Sequence, residues 1–310
     1  MLNEEVKDFL LDNIKDFSDM AAAMEQAGGF SIKAFGQAVD IICSMKSERC
    51  IKYLSFPACI VSTGLRGVIA EFIKKGFVDA IITTCGTLDH DLARAWGGKY
   101  YHGSFSMDDV ALHKKSINRL GNILIPNESY GAIIEKNMQP ILEEILKIKN
   151  KWPGHELIFE FGKRLDDENS ILYQAAKMNV PVFVPGITDG AFGTNLLWFS
   201  QNRDFIVDVL ADERMLSDIS FRKQKTGALM LGGGISKHHT IWWNQFKGGL
   251  DYAVYITTAT QYDGSLSGAR LEEAVSWGKI HPKAKYVTVD GDVTLILPFL
   301  LKAVYQRMKK

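Results

Sequence analysis

An excess of charge of either sign is missing from this chain. Its 310 residues carry 36 basic and 36 acidic side chains, a formal net charge of +0. Generic nucleic-acid and membrane-surface binders need a basic excess, so neither class is expected. Cysteine is scarce: Cys43, Cys50, Cys59 and Cys85 are the only four, and no two form a C-x-x-C pair. A reduced, cytoplasmic compartment fits this better than a disulfide scaffold. No apolar run is long enough to span a bilayer. The start, Met1-Leu2-Asn3-Glu4-Glu5, lacks the basic residues and apolar run of a signal peptide. Internal repeats and low-complexity segments are also missing. His238 and His239 are adjacent rather than at the i, i+4 spacing of a zinc pair, so no metal site is expected.

What is present is a length that suits one large α/β domain or two small ones. Residues 1–50 read as a charged, helical N-terminal extension. Ile14 to Ala27 and Gln37 to Met45 are its helices, with a break at Gly28-Gly29. Packing on the domain and reaching a neighbouring subunit are both open to it. Residues 51–310 read as one domain in which short apolar runs end in small or polar residues and amphipathic helices follow. The strand candidates are Ala58–Val61, Val78–Thr83, Leu157–Phe161, Val182–Val184, Ala228–Leu231, Tyr252–Ile256 and Tyr286–Val289. Strands alternating with helices predict an α/β fold with a doubly wound, mostly parallel sheet. In such sheets a ligand lies outside the carboxyl ends of the strands. Here those ends carry the Gly, Ser, Thr and Asp residues.

Several residues at these ends could carry chemistry. Lys279 follows a short acidic helix and Trp277-Gly278. A lysine amine is nucleophilic only when neutral, and burial against an aromatic ring favours that form. A solvated surface lysine is the plainer alternative. Gly232-Gly233-Gly234, after a strand and before a helix, lets backbone approach an anionic group, or makes only a tight turn. Asp189, Asp263 and Asp292 each follow a strand. A carboxylate there suits the ribose hydroxyls of a dinucleotide; a helix cap or turn is the alternative. His238 or His239 could act as a general base, or lie on a helix surface. His90 starts a helix within Asp89-His90-Asp91. Trp242-Trp243 suits core or interface. Glu272 and Glu273 are either a solvated helix face or anchors for a cationic amine.

Taken together, these stretches resemble the deoxyhypusine synthase family, in particular its archaeal branch. The carrying segments are Ser62-Thr63-Gly64-Leu65-Arg66, Thr83 through Leu92, Asn118 through Asn122, Pro185 through Gly190, and Leu231 through His239. Asp251 through Tyr255, Asp263-Gly264-Ser265, Ser267 through Arg270 and Glu273 through Ile280 complete them. The similarity runs from about residue 15 to the end, and Glu-Ala-Val-Ser-Trp-Gly-Lys is its most specific stretch.

The resemblance implies a Rossmann-like NAD-binding catalytic domain over residues 51–310, and NAD-dependent aminobutyl transfer. Spermidine is oxidised to an imine, Lys279 attacks it, and diaminopropane leaves. A lysine of the translation factor 5A precursor then takes the butyl group, and reduction completes the product. His238 matches the family's base. Glu273, Trp277, Asp89, His90, Thr194 and Gly264 match substrate-binding positions. Ser62, Thr84, Cys85, Gly86, Asp189, Gly233, Thr258, Ala259, Asp263, Gly291 and Asp292 match NAD contacts. The family forms homotetramers whose sites are shared at a dimer interface, and its N-terminal segment can cover a neighbour's site. Departures stand at Thr194 and Leu266, where eukaryotic members carry acids. Trp242, His90 and Ala58-Cys59 replace their Asn, Glu and Ser-Asn. Two other functions stay open beside this one: a transferase for small amines that forms homospermidine, and a non-catalytic partner subunit of a paralogue.

Overall fold

The computed structural model describes residues 4–310. Among them the strands are, in chain order, β1 (Ile51–Ser55), β2 (Ala80–Ile82), β3 (Tyr101–His102), β4 (Ile117–Leu120), β5 (Ile123–Pro126), β6 (Lys151–Pro153), β7 (Val182–Phe183), β8 (Ile206–Asp208), β9 (Thr226–Leu231), β10 (Leu250–Thr257) and β11 (Ile280–Asp290). The chain divides into two compact units. One comprises the residues up to Ser55 and from Ser217 onward, the other Phe56–Leu216.

The first unit holds four parallel strands in the order β11-β10-β9-β1. Every residue of β9 is buried, as are seven of the eight in β10. Strands covered on both faces read as continuous apolar runs, and Ala228-Leu229-Met230-Leu231 is one. The helix Phe30–Ser47 lies on this sheet and presses Met45 against Gly227, where a Cβ would collide with its sulfur. The helix Gly234–Gln245 packs against β9 and β1. The N-terminal helices are held on their own unit by its last helix, Val293–Arg307. Phe17 and Phe299 meet at 5.7 Å between ring centroids. Arg307 pairs with Asp40, and Lys310 with Asp16 and Asp19 at 3.1 and 2.6 Å. Gly28 and Gly29, at φ 68 and 73, make the break between the two helices.

In the second unit β2 and β7 are parallel, as are β6 and β8, while β3-β5-β4 form a small antiparallel sheet. Its organising residue is Asp91, fully buried on the helix Cys85–Ala95. Asp91 pairs with Arg66 at 2.5 Å and accepts from Ser170 Oγ and the backbone N–H groups of Ile171 and Leu172. A buried carboxylate with four donors is the satisfied arrangement that burial demands.

The α/β class and the mostly parallel pairing match expectation. Two expected strands do not. Ala58–Val61 lies in a 3-10 helix, Ala58–Ser62, and the strand before it is β1. Pro57 precedes that turn, and the Ser62 and Thr63 hydroxyls bond back to the Cys59 and Ile60 carbonyls at 2.7 and 2.6 Å, closing it. Leu157–Phe161 lies in the helix Gly154–Lys163, with Leu157, Ile158 and Phe161 buried on one face at helical spacing. The second N-terminal helix begins at Phe30 rather than Gln37. The antiparallel sheet was not anticipated; its tight turn is Gly121-Asn122, with Gly121 at φ 60.

Candidate active site

Lys279 is delivered by a helix terminator. The helix Leu271–Ser276 ends at Trp277. Gly278, at φ 68, donates its N–H to the Val275 carbonyl at 2.9 Å, and Lys279 N–H reaches back to the Ala274 carbonyl at 3.0 Å. This pair of bonds is a Schellman turn, and it wants glycine at that left-handed position. The Lys279 carbonyl then accepts from Leu250 N–H at 3.1 Å, entering β11. The backbone is thus pinned on both sides of the lysine. Its side chain is buried, with the residue 9% exposed. Nζ lies 5.2 Å from the Trp277 ring centroid and 5.8 Å from that of Trp242. Trp277 itself is two-thirds exposed.

His238, distant in sequence, joins this cluster. It stands on the helix Gly234–Gln245, one turn before Trp242, with 5.7 Å between their ring centroids. Burial first, and then the Lys279 charge and His239, hold the His238 imidazole below its ordinary value. The ring is therefore neutral near pH 7 and can accept a proton. Lys279, His238, Trp242 and Trp277 thus come together: a buried amine, an imidazole able to accept a proton and two aromatic rings. Glu273 is exposed in the first turn of the helix that leads to Lys279.

Lys237 was not singled out by the sequence. It is 2% exposed, and its Nζ donates to the Leu266 and Ala269 carbonyls at 2.9 and 2.5 Å. Burial draws its amine down to about 8, against the pull of Glu273 and with that of Arg270. The signal was the buried stripe Ser236, Lys237, Thr240, Ile241, Asn244, which places this lysine on the inward face.

The carboxyl ends of β9, β10 and β11 lie along one edge of the first unit, because the strands are parallel. Gly233, Thr258, Ala259, Asp263, Gly264, Gly291 and Asp292 all follow these ends. Asp263 is folded onto its own turn, accepting from Ser265 N–H and Oγ at 2.8 Å each, and these bonds lower its pKa. Asp292 caps the last helix, accepting from Thr294 N–H and Oγ1 at 2.8 and 2.7 Å. Asp290, two residues earlier, is the acid at the strand end itself, opposite Thr257 and paired with Arg270 at 2.5 Å. It lines a cavity of about 680 Å³ together with Thr258, Ala259, Arg270, Thr288 and Gln37. Its signal was its place directly after the apolar alternation of Val287 and Val289.

The remaining candidates belong to the second unit. Asp89 is 1% exposed and caps the helix Ala191–Ser200, accepting from the Ala191 and Phe192 N–H groups at 3.0 and 2.7 Å and from the Tyr130 hydroxyl at 2.8 Å. Burial raises its pKa more than those donors lower it. His90 shares a 2.8 Å hydrogen bond with Tyr100, and burial lowers its pKa to about 4. The Cys85 thiol donates to the Ile187 carbonyl at 3.1 Å and is pushed up to about 12, chiefly by burial. Thr84 Oγ1 accepts from Ala58 N–H, and Ser62 and Thr194 donate to the Cys59 and Gly190 carbonyls. Gly86 approaches Ala58 closely, at 2.9 Å from a would-be Cβ. Asp189 is exposed after β7.

A model of the deoxyhypusine synthase family matches residues 19–304. A Thermoplasma acidophilum protein named "Probable deoxyhypusine synthase" is 54% identical over 97% of both chains. One of the same name from Sulfurisphaera tokodaii is 52% identical, covering 97% of this chain and 96% of its own. The crystal structure of an Entamoeba histolytica protein assigned to deoxyhypusine synthase superposes with a TM-score of 0.67 over 97% of both chains, at 22% identity. The chain belongs to the deoxyhypusine synthase family.

Proposed function

We propose that this chain moves the aminobutyl group of spermidine, through an imine on Lys279, to a lysine of a translation factor 5A precursor. The observation that carries this is the buried Lys279 amine beside a neutral His238, between two tryptophans. The strand-end residues fit a dinucleotide: the cavity beside Thr258 and Ala259 presents the Asp290 carboxylate, the group that ribose hydroxyls take. When bound there, NAD would supply a reversible acceptor for a hydride from the carbon next to the donor's secondary amine.

His238 takes the proton that this amine loses. Lys279 Nζ adds to the resulting C=N carbon. The bond from that carbon to the diaminopropane nitrogen breaks, the diamine leaves with a proton, and the butyl group stays on Lys279 as an imine. The amine of the acceptor lysine adds in turn and releases Lys279. Return of the hydride to the new C=N carbon leaves the product a saturated secondary amine, with no net oxidation. The tryptophan rings give the methylene chain apolar contact, and Glu273 offers a carboxylate to the terminal ammonium. A homotetramer with shared sites is part of this reading. Trp242 and Trp277 beside Lys279, Ile235 on the same helix as Trp242, and Phe246 at the end of that helix are all 40% or more exposed, an apolar surface that a second copy would cover. Among the described residues no helix is long and apolar enough to cross a membrane.

The test supplies NAD and spermidine labelled in its butyl arm, quenches with borohydride, and maps the label by mass spectrometry. A labelled adduct on Lys279 supports the reading; NAD binding without any adduct refutes it. Putrescine offered in place of the protein acceptor tests the homospermidine-forming alternative, which the family match does not favour. Turnover by the purified chain alone disposes of the partner-subunit alternative.

A further inference from the structure

We propose that Lys237 is a positioning residue: it holds the segment Asp263–Arg270, and through it the helix that leads to Lys279, in the form that receives the polyamine. This rests on the function proposed above. Lys237 lies fully inside, and a buried ammonium is costly unless its donors are satisfied. Two of its three donors go to backbone carbonyls of one segment, those of Leu266 and Ala269. Its charge stands 3.8 Å over the Tyr255 ring. The hydroxyl of that same tyrosine donates to the Ser267 carbonyl at 2.6 Å, and Thr257 Oγ1 donates to it at 3.1 Å. Three carbonyls of the segment are thus drawn inward by Lys237, Tyr255 and Thr257.

The segment seats closely. A Cβ on Gly233 would collide with Ser267, and one on Gly268 with the Thr260 carbonyl. These strand-end and loop glycines make room for the chain's own backbone. A methionine of similar length would fill the Lys237 site without the cost of a buried charge. What it lacks is the power to fix two carbonyls. The segment carries Gly264 and ends at Arg270, directly before the helix whose first turn holds Glu273. Loosening it therefore moves the polyamine side of the site, while the Schellman turn that presents Lys279 keeps its own hydrogen bonds.

The experiment compares wild type with Lys237→Met in steady-state kinetics and in hydrogen–deuterium exchange. The expected result is a spermidine KM raised about tenfold, or about 1.4 kcal/mol of lost binding, with kcat within about twofold. Exchange should rise in residues 264–270. A lower kcat at unchanged KM, or no kinetic change, overturns the proposal. If Lys237→Met does not fold, Tyr255→Phe decides, since it removes only the hydroxyl on Ser267. It should raise KM about threefold, and an unchanged KM overturns the idea. A wild type that forms no adduct sinks the functional reading and this one together. An active wild type with an unchanged KM in the variant sinks this one alone.

Discussion

Replacing Gly278 by alanine asks whether the turn before Lys279 sets the nucleophile. Gly278 sits at φ 68, and a Cβ there would meet nothing within 4 Å. Packing adds no cost, so the backbone alone decides the outcome. The left-handed conformation costs an ordinary residue about 1–2 kcal/mol. Alanine also removes freedom from the unfolded chain, which stabilises by about 0.4–1 kcal/mol. The net expectation is a loss of about 1 kcal/mol, or a fall of about 2–4 °C in melting temperature for a large domain. Gly278→Asn should lose less, because asparagine tolerates this conformation. Strain of this kind is relieved by unwinding the turn, which moves Lys279. Trapped adduct on Lys279 should therefore form about tenfold more slowly in the alanine variant, and closer to the wild-type rate in the asparagine variant. Calorimetry gives the first quantity and a borohydride-quench time course the second. A higher melting temperature for Gly278→Ala would refute the argument, since alanine gains stability only where the native backbone already suits it.

Lys279→Ala should abolish transfer while NAD binding and NAD-dependent cleavage of spermidine remain measurable; calorimetry showing lost NAD binding would count against the assigned role. The same variant should raise the His238 pKa, followed by NMR, yet leave it below the ordinary value, because burial is the larger cause and the Lys279 charge the smaller. In the wild type a base with a lowered pKa stays deprotonated to lower pH. The acid limb of kcat/KM should accordingly fall below the ordinary imidazole value of about 6.5, and a limb above it would exclude His238 as that base. Asp290→Asn should weaken NAD binding by about tenfold, the scale of one charge-assisted hydrogen bond. Asp292→Asn should leave affinity unchanged, since that side chain is spent on a helix cap. Equal losses at both positions in isothermal titration would overturn this distinction.

The sequence displayed the parallel strands because buried central strands are apolar on both faces: β9 and β10 needed no partner to be recognised. It misled where an apolar run was short. Ala58-Cys59-Ile60-Val61 has no period, and only the Pro57 before it and the Ser62 and Thr63 hydroxyls after it make a helical turn there. Leu157–Phe161 looks like a strand because five residues are too few to show helical spacing once the charged Glu156 and Glu160 are discounted.

Acidic residues show the same limit at the site. Asp290 ends a strand and Asp263 and Asp292 follow one, and sequence position alone cannot rank them. Their surroundings do: Asp263 is turned onto Ser265 and Asp292 onto Thr294, whereas Asp290, whose Oδ1 takes the Arg270 guanidinium, lines the cavity beside Thr258 and Ala259. Asp89 is a further case, its carboxylate fully taken by a helix start and a tyrosine. Whether a carboxylate binds a ligand or its own backbone depends on which N–H groups lie within 3 Å. For Asp263 and Asp292 those come from the turn that follows, and for Asp89 from a helix start distant in the chain, not from the residue type. Lys279 was legible for the opposite reason. Trp-Gly-Lys spells both the terminator and one aromatic ring, so the local sequence writes the turn that presents Lys279, while Leu250 N–H pins its far side.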